Sequence, residues 1–106
     1  MAFDVEITDQ ALGHLKGIRK YNRRRIVDTI YQQLEHQPTV PTRHRKCLKG
    51  VVPDFHHVPP VWELRIGEHR VFYDVDETAQ VVFVRAVLPK AHGQTTEDII
   101  HERNDS

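Results

Sequence analysis

The stretch WELRIGEHRVFYDVD, Trp62–Asp76, decides the fold. Trp62, Leu64 and Ile66 alternate with Glu63 and Arg65. Past Gly67-Glu68, Val71, Tyr73 and Val75 alternate with Arg70, Phe72 and Asp74. Alternation with period two marks half-buried strands, and Gly67-Glu68 has the Gly-X form of a two-residue type II′ turn. That turn pairs Ile66 with His69, Arg65 with Arg70, Leu64 with Val71, Glu63 with Phe72 and Trp62 with Tyr73. One face, with Trp62, Leu64, Ile66, Val71 and Tyr73, is core. The other carries Glu63, Arg65 and Arg70. Like charges directly opposite on a sheet are destabilising, so Arg65 and Arg70 make sense on a face that meets an anion. The plainer reading is a solvated ion cluster in which Glu63 neutralises the two arginines.

Outward from the hairpin, each element has its own signal. Ala2–Ile7 alternates and reads as a first strand. Thr8-Asp9 caps a helix running to about Lys20 with Leu12, Leu15 and Ile18 on one side. Gly13 and Gly17 weaken that helix by ~1 kcal/mol each relative to alanine, and their small size would let it pack close to a neighbour. Asn22 caps a second helix, Arg23 to about His36, with a stripe of Ile26, Val27, Ile30, Tyr31 and Leu34. Thr42–Lys49 reads as a basic connector and Val51–Pro60 as a proline-rich loop. Gln80–Leu88, with its run VVFVRAVL, reads as the central strand. Thr95-Thr96-Glu97-Asp98 opens a last helix to about Arg103, with a capping-box pattern. The expected class is α+β: an N-terminal strand, a helical hairpin on one face of a mainly antiparallel four-stranded sheet, and a short C-terminal helix. The second sheet face is left partly open.

The chain has 106 residues, the size of a single domain with one core. Cys47 is the only cysteine, which excludes a disulfide framework and a paired-cysteine metal site. No signal pattern and no membrane-length apolar run is present, so a cytoplasmic protein without a membrane partner is expected. Net charge is zero, but residues 1–50 hold ten Lys/Arg against five Asp/Glu, and residues 51–106 the reverse. The basic half has two clusters, Arg19–Arg25 and Arg43–Lys49. These suit a polyanion such as nucleic acid, or an acidic protein, while Arg23–Arg25 also reads as a solvated helix end. The neutral total argues against strong nonspecific nucleic-acid binding. His56-His57 in the proline-rich loop reads as solvated rather than as a metal pair.

Three segments together, RKCLKG (Arg45–Gly50), WELRIGEHRVFYDVD and VVFVRAVLPKAH (Val81–His92), resemble the RelE/ParE superfamily of type II toxin–antitoxin toxins. The likeness spans nearly the whole chain as one toxin domain, 1–106. It implies a cognate antitoxin and one of two activities. RelE-like and YoeB-like members are endoribonucleases that cut mRNA on the ribosome, whereas ParE-like members poison DNA gyrase. A third outcome is an inactive module that only binds antitoxin.

For a nuclease, Arg70 matches the family arginine that contacts the reactive phosphate, a role suited to a bidentate, always-charged fork. Lys90 falls where RelE has a second catalytic arginine and YoeB a histidine, and His92 is the other counterpart, with a pKa near 6.5 suited to acid–base work. The chain also departs from the family. The RelE catalytic lysines correspond here to Val61 and Glu63, no acid stands clearly at the YoeB glutamate position, and the RelE C-terminal tyrosine corresponds to Gln94–Glu97. Glu63 beside Arg70 is then the available carboxylate. His44, Arg45, Lys46 and Lys49 are the expected phosphate-backbone contacts. The implied chemistry is metal-free and needs no cofactor. The substrate 2′-OH attacks, Arg65 and Arg70 hold the phosphate, Glu63 or His92 serves as base or acid, and Lys90 assists the leaving group. The missing lysine pair and the neutral charge favour the gyrase-inhibitor alternative.

Overall fold

In the computed structural model, which describes residues 2–101, the hairpin forms as read. Strands β3 (Trp62–Ile66) and β4 (His69–Asp76) pair antiparallel in the expected register, including Arg65 opposite Arg70. Gly67 has φ +56°, as the first corner of a type II′ turn requires and as glycine alone adopts at little cost.

Among the described residues the element order is β1 (Asp4–Ile7), α1 (Asp9–Lys16), α2 (Lys20–Leu34), β2 (Arg45–Cys47), β3, β4, β5 (Val81–Pro89) and α3 (Thr96–Ile100). The sheet has five strands in the order β1-β5-β4-β3-β2, with β1 parallel to β5 and the other pairs antiparallel. The expected four strands are therefore joined by a fifth. Part of the basic connector pairs along β3, with Lys46 opposite Glu63 and Arg45 opposite Leu64. The VVFVRAVL run is an interior strand as expected, but β4 holds the centre.

Thr8 caps α1 by accepting from the Ala11 N–H. Gly17 is its C-cap rather than a packing site, and a Cβ on Gly13 would meet nothing within 4 Å, so neither glycine serves close approach. Helix α2 begins earlier than Asn22. The Arg23 N–H already donates to Arg19 O at 2.8 Å, so helical bonding is under way before the expected cap. Ala11, Leu15, Ile26, Ile30 and Leu34 from the two helices bury against Trp62, Leu64, Ile66, Val71, Tyr73, Val82 and Val84. This is the helix-covered sheet face.

The opposite face is less open than expected. Phe55, Val61, Phe72, Ala86, Ile99 and Ile100 form a second core there, built by the proline-rich loop and α3. The Thr95–Asp98 capping box is present. The expected extension of this helix to Arg103 lies outside the described residues. Asp74 is buried at 2 % exposure and takes a bidentate pair from Arg85, 2.8 and 3.1 Å, together with the Val58 N–H at 2.9 Å.

Candidate functional site

Sheet pleating sorts the polar residues of the three strands. Side chains alternate faces along a strand, so Lys46 on β2, Glu63 and Arg65 on β3 and Arg70 on β4 share the face away from α1 and α2. Lys90 leaves β5 beside them, its N–H bonded to Glu68 O at 2.7 Å on the hairpin turn. Helix α3 closes the far side through Thr96. The result is a cleft of about 180 Å³ lined by Lys46, Glu63, Arg65, Arg70, Lys90 and Thr96 and by the segment from Thr42 to Arg45. A neighbouring cleft of about 250 Å³ shares Arg65, Arg70 and Lys90 and adds the exposed His92. The catalytic candidates read from the sequence therefore line one continuous surface.

Glu63 sits at its centre and differs from expectation in being buried, 4 % exposed. Its Oε2 accepts from the Thr96 hydroxyl at 2.8 Å and lies 3.7 Å from Arg70 Nε, while its Oε1 is 3.4 Å from Lys46 Nζ. A buried carboxylate is tolerable only when paired and hydrogen-bonded, and these three partners supply that. Arg70 is anchored by Nη1 bonds to Gly67 O and His69 O, both 3.0 Å. Burial draws its guanidinium below the ordinary arginine range, with Glu63 opposing and Arg65 adding to the shift; it stays a cation at neutral pH. His69 next to it is likewise lowered, first by burial, with Glu68 opposing. Lys46 and Arg70 thus flank the Glu63 carboxylate, Arg65 and Lys90 line the same cleft, and the cleft has the charge and size to take a phosphodiester.

Not every expected contact joins it. Arg45 points the other way: it is buried on the helix side, its Nε donates to Val40 O at 3.1 Å and its Nη1 to Gln33 O in the last turn of α2. Arg45 is among the residues lining the cleft, but the pleat that turns the Lys46 side chain into it turns the Arg45 guanidinium onto the helix. Lys49 is exposed and lies outside the residues lining either cleft. His44 and Lys46 remain at the site. Thr96 was missed by sequence reasoning. Its place one residue after the helix cap was legible, but its docking on Glu63 spans 33 positions.

A family model described as the ParE toxin of type II toxin–antitoxin systems, parDE, matches residues 5–92. Curated proteins yield no match. Among solved structures, the chain is similar to the toxin–antitoxin complex RelBE2 of Mycobacterium tuberculosis, with TM-score 0.65, 19% identity, and coverage of 82% of this chain and 96% of that one. It is similar to the RelE–RelB complex of Pyrococcus horikoshii with TM-score 0.63, 22% identity and 88% and 100% coverage. It is also similar to an arginine double mutant of the E. coli toxin RelE in the free state, with TM-score 0.60, 23% identity and 97% and 98% coverage. These likenesses establish the fold. No helix among the described residues is long and apolar enough to cross a membrane.

Proposed function

Since the chain belongs to the ParE toxin family of type II toxin–antitoxin systems, we propose that it is a metal-independent endoribonuclease that cuts mRNA held on the ribosome and is silenced by a cognate antitoxin. The observation that carries this reading is the convergence of Glu63, Arg65, Arg70 and Lys90 on one phosphate-sized cleft. The substrate 2′-OH attacks the adjacent phosphorus and Glu63 takes its proton through Oε1, the oxygen whose partner is the largely exposed Lys46 amine. Arg65 and Arg70 neutralise the equatorial oxygens of the phosphorane. Lys90 protonates the departing 5′ oxygen, with His92 as the other proton donor on the adjoining surface. The products are a 2′,3′-cyclic phosphate and a 5′-hydroxyl. Lys46 and His44 sit where they reach flanking phosphates. The chain's zero net charge leaves little long-range attraction for free RNA, so this reading requires a substrate presented by the ribosome. The antitoxin partner is supported by two of the similar structures, each a toxin held by its antitoxin.

Gyrase inhibition through protein binding is the second reading. It is favoured by the replacement of the RelE lysine pair: Val61 belongs to the second core and Glu63 is held in ion pairs. Purified protein added to ribosomes programmed with a defined codon in the A site separates the two. Cleavage in that codon, with gyrase supercoiling unaffected, is the expected result. Intact mRNA with arrested gyrase would transfer the assignment to the second reading, and inertness in both assays to a module that only binds antitoxin.

A further inference from the structure

We propose that Thr96 is a positioning residue that holds Glu63 and Arg70 apart, so that the Arg70 cation stays available to a bound phosphate; the inference deepens the reading of the cleft given above. Glu63 and Arg70 carry opposite charges and face the same cleft, yet Glu63 Oε2 stands 3.7 Å from Arg70 Nε, beyond the 2.7–3.2 Å of an ordinary N–H···O bond. That same oxygen receives the Thr96 hydroxyl at 2.8 Å. The donor competes for the oxygen and draws the carboxylate toward α3. On the other oxygen, Lys46 pulls from β2 at 3.4 Å. Arg70 is fixed from its own side by Gly67 O and His69 O. Without the Thr96 hydroxyl, Oε2 is free to close on Nε. Carboxylate–guanidinium pairs at hydrogen-bond distance are among the strongest polar contacts, and such a pair would neutralise the cation that the phosphate needs.

Thr96 can resist this attraction because its backbone is anchored independently. The capping box between Thr95 and Asp98 fixes the first turn of α3, and its hydrogen bonds hold the Asp98 carboxyl below the usual range. Ile99 and Ile100, buried to 1% and 0% exposure, lock the helix onto Phe72, Val61 and Ala86. The hydroxyl is thus presented from a helix that does not depend on the cleft.

The test is a titration of the full chain with inorganic phosphate, followed by the Arg70 Nε–Hε resonance in NMR. Wild type and Thr96→Ser should bind phosphate within about twofold of each other. Thr96→Val, which keeps the shape and loses the donor, should bind roughly tenfold more weakly, the scale of one lost charge-assisted hydrogen bond. In the free Thr96→Val protein the Nε–Hε signal should move downfield as the Glu63 contact shortens. Thermal melts of the Ser and Val variants identify any loss that is merely structural, and Thr96→Ala serves if the valine variant does not fold. In a Glu63→Gln background, where there is no carboxylate charge to hold away, Thr96→Val should change phosphate affinity less than twofold. Phosphate affinity unchanged in Thr96→Val, failure of serine to preserve it, no binding by the wild type, or an undiminished loss in the Glu63→Gln background each overturns the proposal. A wild type that binds phosphate but leaves ribosomal mRNA intact sinks the nuclease reading instead, and the titration still decides the role of Thr96.

Discussion

Replacing Arg45 with alanine separates a structural arginine from a nucleic-acid contact. Its guanidinium donates to Val40 O and Gln33 O from a buried position. Gln33 lies in the last turn of α2, where carbonyls lack helical partners and a cation opposes the helix dipole favourably. A hydrogen bond involving a charged group contributes roughly 1.5–3 kcal/mol. Two of them, taken at the low end, amount to about 3 kcal/mol, a large share of the ~5–15 kcal/mol that holds a small domain together. At ~4 °C per kcal/mol the melting temperature should fall by roughly 12 °C. Urea and thermal unfolding followed by circular dichroism measure this directly, and cleavage by the fraction that remains folded should be undiminished. Lys46→Ala, one residue on and two-thirds exposed, should do the opposite, with stability within ~0.5 kcal/mol of wild type and weaker substrate engagement. An Arg45→Ala protein with unaltered midpoint, reduced ribosome affinity and a salt slope smaller by about one unit would refute the reasoning and restore Arg45 to the phosphate-binding set.

Other consequences can be checked in the same way. Asp74→Ala strands the Arg85 guanidinium, 12% exposed, and the Val58 N–H; urea titration should register a loss of about 3–5 kcal/mol, whereas Asp74→Leu with Arg85→Met should recover most of it. Tyr73 donates to Pro38 O at 2.6 Å, and burial raises its phenol well above the ordinary value, with Arg45 opposing. A folded-state value above the unfolded one means that this contribution is complete below about pH 10 and lost as pH rises beyond it; Tyr73→Phe should flatten that alkaline limb of a stability–pH profile. Gly13→Ala, with open space at the new Cβ, should raise stability by about 0.5–1 kcal/mol in chemical denaturation, and a decrease would contradict the open space at that position.

The hairpin was legible because three local signals agreed: period-two alternation, a Gly-X corner and a consistent core face. Register follows from such agreement, and it places Arg65, Arg70 and Glu63 together on one face. Strand β2 was not legible. Its three residues, Arg45–Cys47, are too few to display alternation, and two are charged, so the strand exists because β3 offers an edge. The same pleat decides that Lys46 faces the cleft and Arg45 the helix, a distinction invisible in a basic run. Glu63 also fitted a solvated ion cluster, and the burial of Asp74 had no signal, because nothing local announces what covers them. Glu63 meets α3 through Thr96 and Asp74 meets the proline-rich loop through Val58, and their side-chain partners Thr96 and Arg85 sit 33 and 11 positions away. The helix α2 start was misplaced at Asn22 because a good capping residue is only an opportunity; the chain had already turned into a helix at Arg19.

The most direct measurement is induced expression of the wild type and of Arg70→Ala in a bacterial host, with genome-wide mapping of mRNA 5′ ends. The account predicts growth arrest with new 5′ ends inside translated codons for the wild type, and loss of both in Arg70→Ala, by at least ~10²-fold in cleavage, with the variant still folded and still captured by the antitoxin. Arrest that persists in the folded variant, or arrest by the wild type with its mRNA uncut, would contradict it.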